Sequence, residues 1–110
     1  IIPLLIEVNI AEDENKYGIK PNEVETFLKK VVKLDNIEIK GLMTIVPYTE
    51  DPEEVRPYFR KMKKIQKDLN DRVHPLPELS MGMSNDYKIA VEEGATVVRI
   101  GTAIFGERNY

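Results

Sequence analysis

Four short apolar runs alternate with helical stripes along this chain, and nothing between them reads as a hairpin turn. That alternation restricts the fold to parallel strands joined by helical crossovers. The first run, over 4–10, is aliphatic, with Glu7 and Asn9 as polar interruptions on one face. A charged loop containing Gly18 follows over 11–20, and Pro21 and Asn22 open a helix. Glu23 and Glu25 sit in its first turn, where negative charge meets the positive end of the dipole. Val24, Phe27, Leu28, Val31 and Val32 recur at spacings of three and four, so that face seeks a core.

The second strand is predicted over 37–46, between Asp35-Asn36 and Pro47. Asp51 and Pro52 start a second helix as N-cap and first-turn proline. Its apolar stripe is Val55, Tyr58, Phe59, Met62, Ile65 and Leu69, with Pro57 near its first turns as a candidate kink, and it ends before His74. The third strand covers 79–83. Ser84 is read as the cap of a helix over 85–93, stopped by Gly94. The fourth strand covers 96–100, and Gly101-Thr102 caps a short last helix over 103–105. Four parallel strands do not close a barrel, and their outer edges stay unpaired. A doubly wound sheet is the competing architecture, but the chain lacks its Gly-rich first turn.

At 110 residues the chain has room for a single core, and 42% hydrophobic with 32% charged residues is ordinary for a soluble domain. A net charge of −3 gives no reason to expect a nucleic-acid partner. The basic cluster Arg56, Arg60, Lys61, Lys63, Lys64 and Lys67 has helical spacing and acidic neighbours, which reads as a solvated helix face. Cysteine is absent, which excludes disulfides, thiolate zinc sites and a cysteine nucleophile. No apolar run is long enough to span a bilayer, and no charged-then-apolar leader is seen, so a cytoplasmic chain without a membrane partner is the default. The chain opens at Ile1 inside a strand-like run, which is read as a fragment, a processed chain or an excised piece.

Two strand-to-helix junctions carry the chemistry: Ser80-Met81-Gly82-Met83-Ser84-Asn85-Asp86 and Arg99-Ile100-Gly101-Thr102-Ala103-Ile104-Phe105-Gly106. Each puts small residues and a hydroxyl at the C-terminal end of a parallel strand, where free amide donors and a helix dipole favour an anion such as phosphate or sulfate. The plainer reading makes Ser84 and Thr102 simple N-caps and the glycines simple turn residues. Arg99, between Val98 and Ile100, needs a partner, either that anion or a buried ion pair with Glu7. His74 reads as an exposed loop residue, and Met43, Met81 and Met83 as barrel filling. No His/Asp/Glu set has metal-ligand spacing.

Those junctions, together with Val8-Asn9-Ile10, Lys16, Gly18-Ile19, Gly41-Leu42-Met43-Thr44-Ile45 and the ending through Glu107-Arg108 to Tyr110, resemble the pyridoxal 5′-phosphate (PLP) homeostasis family. Those proteins are fold-type III barrels of the alanine-racemase N-terminal type. The resemblance implies an α/β chain forming half of a (β/α)8 TIM barrel, strands five to eight, over residues 1–110 as one domain. It implies cofactor contacts from Met83, Ser84, Arg99, Gly101 and Thr102, with Arg99 beside either the pyridine nitrogen or the phosphate. Beside the nitrogen, an arginine would keep the ring unprotonated and weaken it as an electron sink. That suits a cofactor carrier without robust catalysis.

The family's Schiff-base lysine lies on the first barrel strand, which this chain lacks; Lys16 and Lys40 are not its equivalents. Contacts to the cofactor from this chain are therefore non-covalent. The implied partner is the missing N-terminal half-barrel or a second copy of this chain, as a homodimer. A racemase-like enzyme of the same fold type needs a base on each cofactor face, and no residue here is a strong candidate for either. An isolated half-barrel that self-associates without activity is the third alternative.

Overall fold

The computed structural model describes residues 1–14 and 16–99. The last strand-to-helix junction from Ile100 onward, with Gly101 and Thr102, lies outside them. Strands β1 (Ile2–Glu7), β2 (Ile37–Met43), β3 (Glu78–Met83) and β4 (Val97–Arg99) alternate with helices α1 (Val24–Val31), α2 (Arg56–Arg72) and α3 (Tyr87–Glu92). All three strand pairings are parallel, and the sheet runs β1-β2-β3-β4 in sequence order. Among the described residues the order never reverses, so they contain no topological switch point of the kind that marks a doubly wound sheet. Right-handed crossovers that always step in one direction leave their helices on one face of the sheet.

The core follows from that placement. Ile6, Val8, Ile39, Leu42, Leu79 and Met81 of the sheet meet Val24 and Leu28 of α1, Phe59, Met62 and Leu69 of α2, and Ile89 and Ala90 of α3 in a single buried cluster. Residues in register share a face. Ile6, Leu42 and Leu79 form one buried row. Glu7, Met43, Ser80 and Val97 form a row on the opposite face, preceded by Leu5, Gly41 and Glu78. On that opposite face Leu5 and Val97 each remain 39% exposed. Among the described residues, one layer of helices covers one side of the sheet, and no helix covers the other.

Several boundaries differ from the sequence reading, each for a local reason. β1 begins at Ile2 and takes in Pro3. The Ile2 N–H bonds back to the Asn36 carbonyl, so alternation turns the Pro3 nitrogen toward the outer edge, where a missing N–H breaks no bond to β2. β2 ends at Met43, before Val46. The second helix opens as a 3-10 turn over Pro52–Val55 before α2 begins. Arg56 donates to the Glu53 carbonyl, and Pro57 in the next position has no N–H with which to continue an α pattern to Glu53. Pro57 therefore lies in the first turn of α2, as read, and shapes the entry to the helix. The Asp51 cap holds as read, its Oδ1 accepting from the Glu53 N–H at 3.0 Å.

Buried methionines also sort differently. Met81 is wholly enclosed, but in the layer between sheet and helices; Met83 is 42% exposed at the strand end. Met43, in register with Ser80, is a half-buried filler on the open face.

Most of the basic stretch of α2 is a solvated face, as expected, but Arg56 is only 22% exposed and bonds Glu92 and Glu93. Arg60 pairs with Glu93 and Lys67 with Asp71, while Lys61 lies 4.0 Å from Glu12. His74 is half-buried, its Nε2 3.2 Å from the Ile39 carbonyl, so it ties the loop before β3 to β2 in place of hanging free. No helix among the described residues is long and apolar enough to cross a membrane.

Candidate functional site

Ligands of parallel α/β sheets bind at the C-terminal ends of the strands. Here those ends bring Thr44, Met83, Ser84 and Arg99 together. Arg99 closes β4 in register with Met83, which places Ser84 one residue beyond the same rung. Because Val97 shares the open face with Ser80, Arg99 two residues later projects from that face too.

The guanidinium is held by two neutral acceptors. Nη1 donates to Ser80 Oγ at 2.7 Å and Nη2 to the Thr44 carbonyl at 3.2 Å. Arg99 forms no ion pair with a described residue, so the ion pair with Glu7 weighed from the sequence is not formed. A cation with only neutral partners retains its full charge for an incoming anion.

Thr44 is fully buried and fastened on three sides. Its Oγ1 donates to the Val8 carbonyl at 2.6 Å, its N–H to the Ser80 carbonyl at 3.0 Å, and its own carbonyl receives Arg99. Val8 N–H in turn donates to the Met43 carbonyl at 2.7 Å. The result is a polar brace running from the end of β1 through β2 and β3 to β4. In a strand environment that is otherwise apolar, each of these groups has found the partner that its burial demands.

Ser84 is exposed, and it does not cap α3. Asp86 takes the N-cap position, 5% exposed, and its Oδ1 reaches back to accept from the Met83 N–H at 2.7 Å. The Asp86 N–H donates to the Met83 carbonyl at 3.1 Å, closing the turn over 83–86. A carboxylate that satisfies the turn from inside frees the Ser84 hydroxyl to face solvent, and α3 starts only at Tyr87. Ser84 lines a hollow together with Pro52, Asn85, Asp86, Tyr87, Lys88 and Ile89.

The structure thus gathers Met83, Ser84 and Arg99 at one end of the sheet; Gly101 and Thr102 lie outside the described residues. Sequence reasoning did not single out Ser80, Thr44 or Asp86 as site residues. The signal was present: a serine and a threonine inside buried parallel strands are conspicuous because each must be hydrogen-bonded. Lys16 is exposed, and Lys40 pairs with Glu38 at 2.6 Å. Among the described residues no group of three or more His, Cys, Asp or Glu side chains is placed to hold a metal.

The arrangement is similar to known proteins. The model of the alanine racemase N-terminal domain matches residues 2–109. The pyridoxal phosphate homeostasis protein of Aquifex aeolicus is 50% identical over 108 residues, 97% of this chain but 47% of that protein. PipY of Synechococcus elongatus PCC7942, solved without PLP, superposes with a TM-score of 0.85 at 36% identity, covering 94% of this chain and 49% of that one. The same protein with PLP bound gives a TM-score of 0.79 at 32% identity over the same shares. This chain spans about half the length of the curated relatives it matches. With that model matched from the first strand to the penultimate residue, and a parallel sheet wound in sequence order, this chain belongs to the alanine racemase N-terminal domain family.

Proposed function

We propose that this chain is the C-terminal half of a (β/α)8 barrel, contributing strands five to eight, and that the complete protein binds PLP in cytoplasmic vitamin B6 homeostasis without robust turnover. The observation that carries this reading is Arg99, a cation at the strand ends whose partners among the described residues are a hydroxyl and a carbonyl. Such a group fits a phosphate monoester, and the neighbouring Met83 and Ser84 border the same rim. The names of the relatives, and the PLP bound to PipY, supply the ligand class.

On this reading Arg99 provides the positive charge, Ser84 its exposed hydroxyl, and Met83 an apolar wall. Gly101 and Thr102 complete the phosphate cradle. The Schiff-base lysine comes from the other half of the barrel, so this chain orients the cofactor through non-covalent contacts alone. PLP, when bound, supplies an aldehyde and an electron-accepting ring. Among the described residues none is a strong candidate for a base on either face of that ring, which favours a carrier over a racemase-like enzyme.

Equilibrium dialysis of the full-length protein against PLP tests the proposal. Wild-type protein is expected to retain the cofactor. Arg99→Ala should weaken binding about tenfold or more, as expected for losing a charged hydrogen-bond donor, and Ser84→Ala about threefold to tenfold. A full-length protein that holds no PLP would sink this reading.

A further inference from the structure

Ser80 has a place in the site that neither its sequence motif nor the family match assigns. It lies on β3 between Leu79 and Met81, both fully buried, and is itself only 2% exposed. A hydroxyl so enclosed is tolerated when it is paired, and its partner is the Arg99 Nη1 at 2.7 Å. Guanidinium donors form a rigid planar fork. Anchoring Nη1 on Ser80 and Nη2 on the Thr44 carbonyl therefore fixes the plane of the whole group and aims its remaining donors. The second anchor is itself immobile, since Thr44 is bonded to Val8 and to Ser80. Remove the hydroxyl and, among the described residues, Arg99 keeps one contact of 3.2 Å, with rotamer freedom returned.

We infer that Ser80 is a positioning residue: it pre-sets the Arg99 guanidinium before any anion arrives, so that binding does not have to order that side chain. This rests on the reading of Arg99 as a cofactor contact. Ser80 acts through Arg99 and does not touch the ligand.

The test is a double-mutant cycle on the full-length protein, with PLP affinity measured by equilibrium dialysis. Ser80→Ala is expected to weaken binding about fivefold in the wild-type background and to have no further effect in Arg99→Ala. Ser80→Thr, which keeps the hydroxyl, should recover most of the affinity, while Ser80→Cys, nearly the same size but a weak acceptor, should fall between. Phe59→Leu, in the helix-side core, serves as a destabilised control: it should lower the melting temperature and leave PLP affinity unchanged. Independently, in cofactor-free protein, the Arg99 side-chain Nε–H resonance should be sharp in wild type and broadened or exchange-lost in Ser80→Ala. Additive effects of Ser80→Ala and Arg99→Ala, or an unaltered Arg99 resonance in Ser80→Ala, overturn the positioning role while the cofactor reading stands. Wild-type affinity in Arg99→Ala overturns the cofactor reading itself.

Discussion

Gly82 and Gly94 hold nearly the same backbone angle, φ +104° and +106°, yet a methyl group at each meets different neighbours. At Gly82 it would come within 2.6 Å of the Ala90 Cβ and 3.2 Å of the Val98 Cγ1, packed groups of α3 and β4. At Gly94 it would meet the Lys63 stem, the flexible part of a long side chain. Both substitutions incur the left-handed penalty, about 1–2 kcal/mol, but only Gly82 adds overpacking of about 1–3 kcal/mol. Urea unfolding should therefore show Gly82→Ala losing clearly more stability than Gly94→Ala; equal losses would mean the α3 contact relaxes freely. Here the sequence was half legible. Gly94 as a helix stop follows from its place after Glu93, whereas Gly82 looks like a loop glycine of a phosphate turn. What it accommodates is α3, a tertiary contact that no local pattern reveals. Ser84 misled for a related reason, because Asp86 two positions later makes a stronger claim on the turn.

At the scale of elements, α2 and α3 are joined by charge as well as by their apolar stripes. Arg56 bonds Glu53 within its own turn and reaches Glu92 and Glu93 at 2.7 Å each, while Arg60 also meets Glu93. Arg56 and Glu93 are only 22% and 14% exposed, against 72% and 56% for Lys67 and Asp71, so solvent and salt screen the first pair less. The Arg60 and Arg56 guanidinium groups hold the Glu93 carboxyl below its usual value of 4.5, and Arg56 does the same for Glu53. A carboxyl depressed in the folded state stabilises above its unfolded value and loses that contribution as pH falls through the folded one. The melting temperature should thus be level from neutral pH down to about 5 and decline below it. Arg56→Ala should lower the midpoint at pH 7 by a few degrees and flatten the acid decline; an unchanged acid limb would remove the network from the account. The helices themselves, with the Asp51 cap and the stripe through Phe59, Met62 and Leu69, were readable from spacing. The bridge from Arg56 to Glu92 and Glu93 was not, since it depends on how two helices separated by β3 lie against one another.

For the molecule as a whole, the decisive feature is that, among the described residues, the sheet carries helices on one face only. Helices cover the row Ile6, Leu42 and Leu79, while Leu5 and Val97 stay 39% exposed on the other side. Among the described residues β4 pairs along one edge, and the outer edge of β1 is met only at its end, where the Glu7 carbonyl accepts from the Ile19 N–H at 2.9 Å. The β1 edge also borders an apolar groove lined by Leu4, Leu5, Phe27, Val31, Ile37 and Ile39. Unpaired edges beside an apolar face are templates for further strands. Two such sheets have the strand number of a closed eight-stranded barrel, in which the apolar faces of both become interior. Chain alternation made the parallel four-stranded sheet legible from the outset, because strands that alternate with helical stripes and lack hairpin turns pair in parallel. Expressed alone, the 110-residue chain should accordingly associate at micromolar concentration, read by sedimentation as a dimer or larger species. Leu5→Lys with Val97→Lys should shift it toward monomer while the far-ultraviolet circular dichroism is kept, since both side chains lie outside the helix-covered core. On the proposed half-barrel reading, mixing the wild-type chain with a complementary half should convert the self-associated form to a one-to-one complex that retains PLP on dialysis, whereas the chain alone should release it. A wild-type chain that stays a well-folded monomer at those concentrations would mean that the open face is covered from within, and the half-barrel reading would have to be given up.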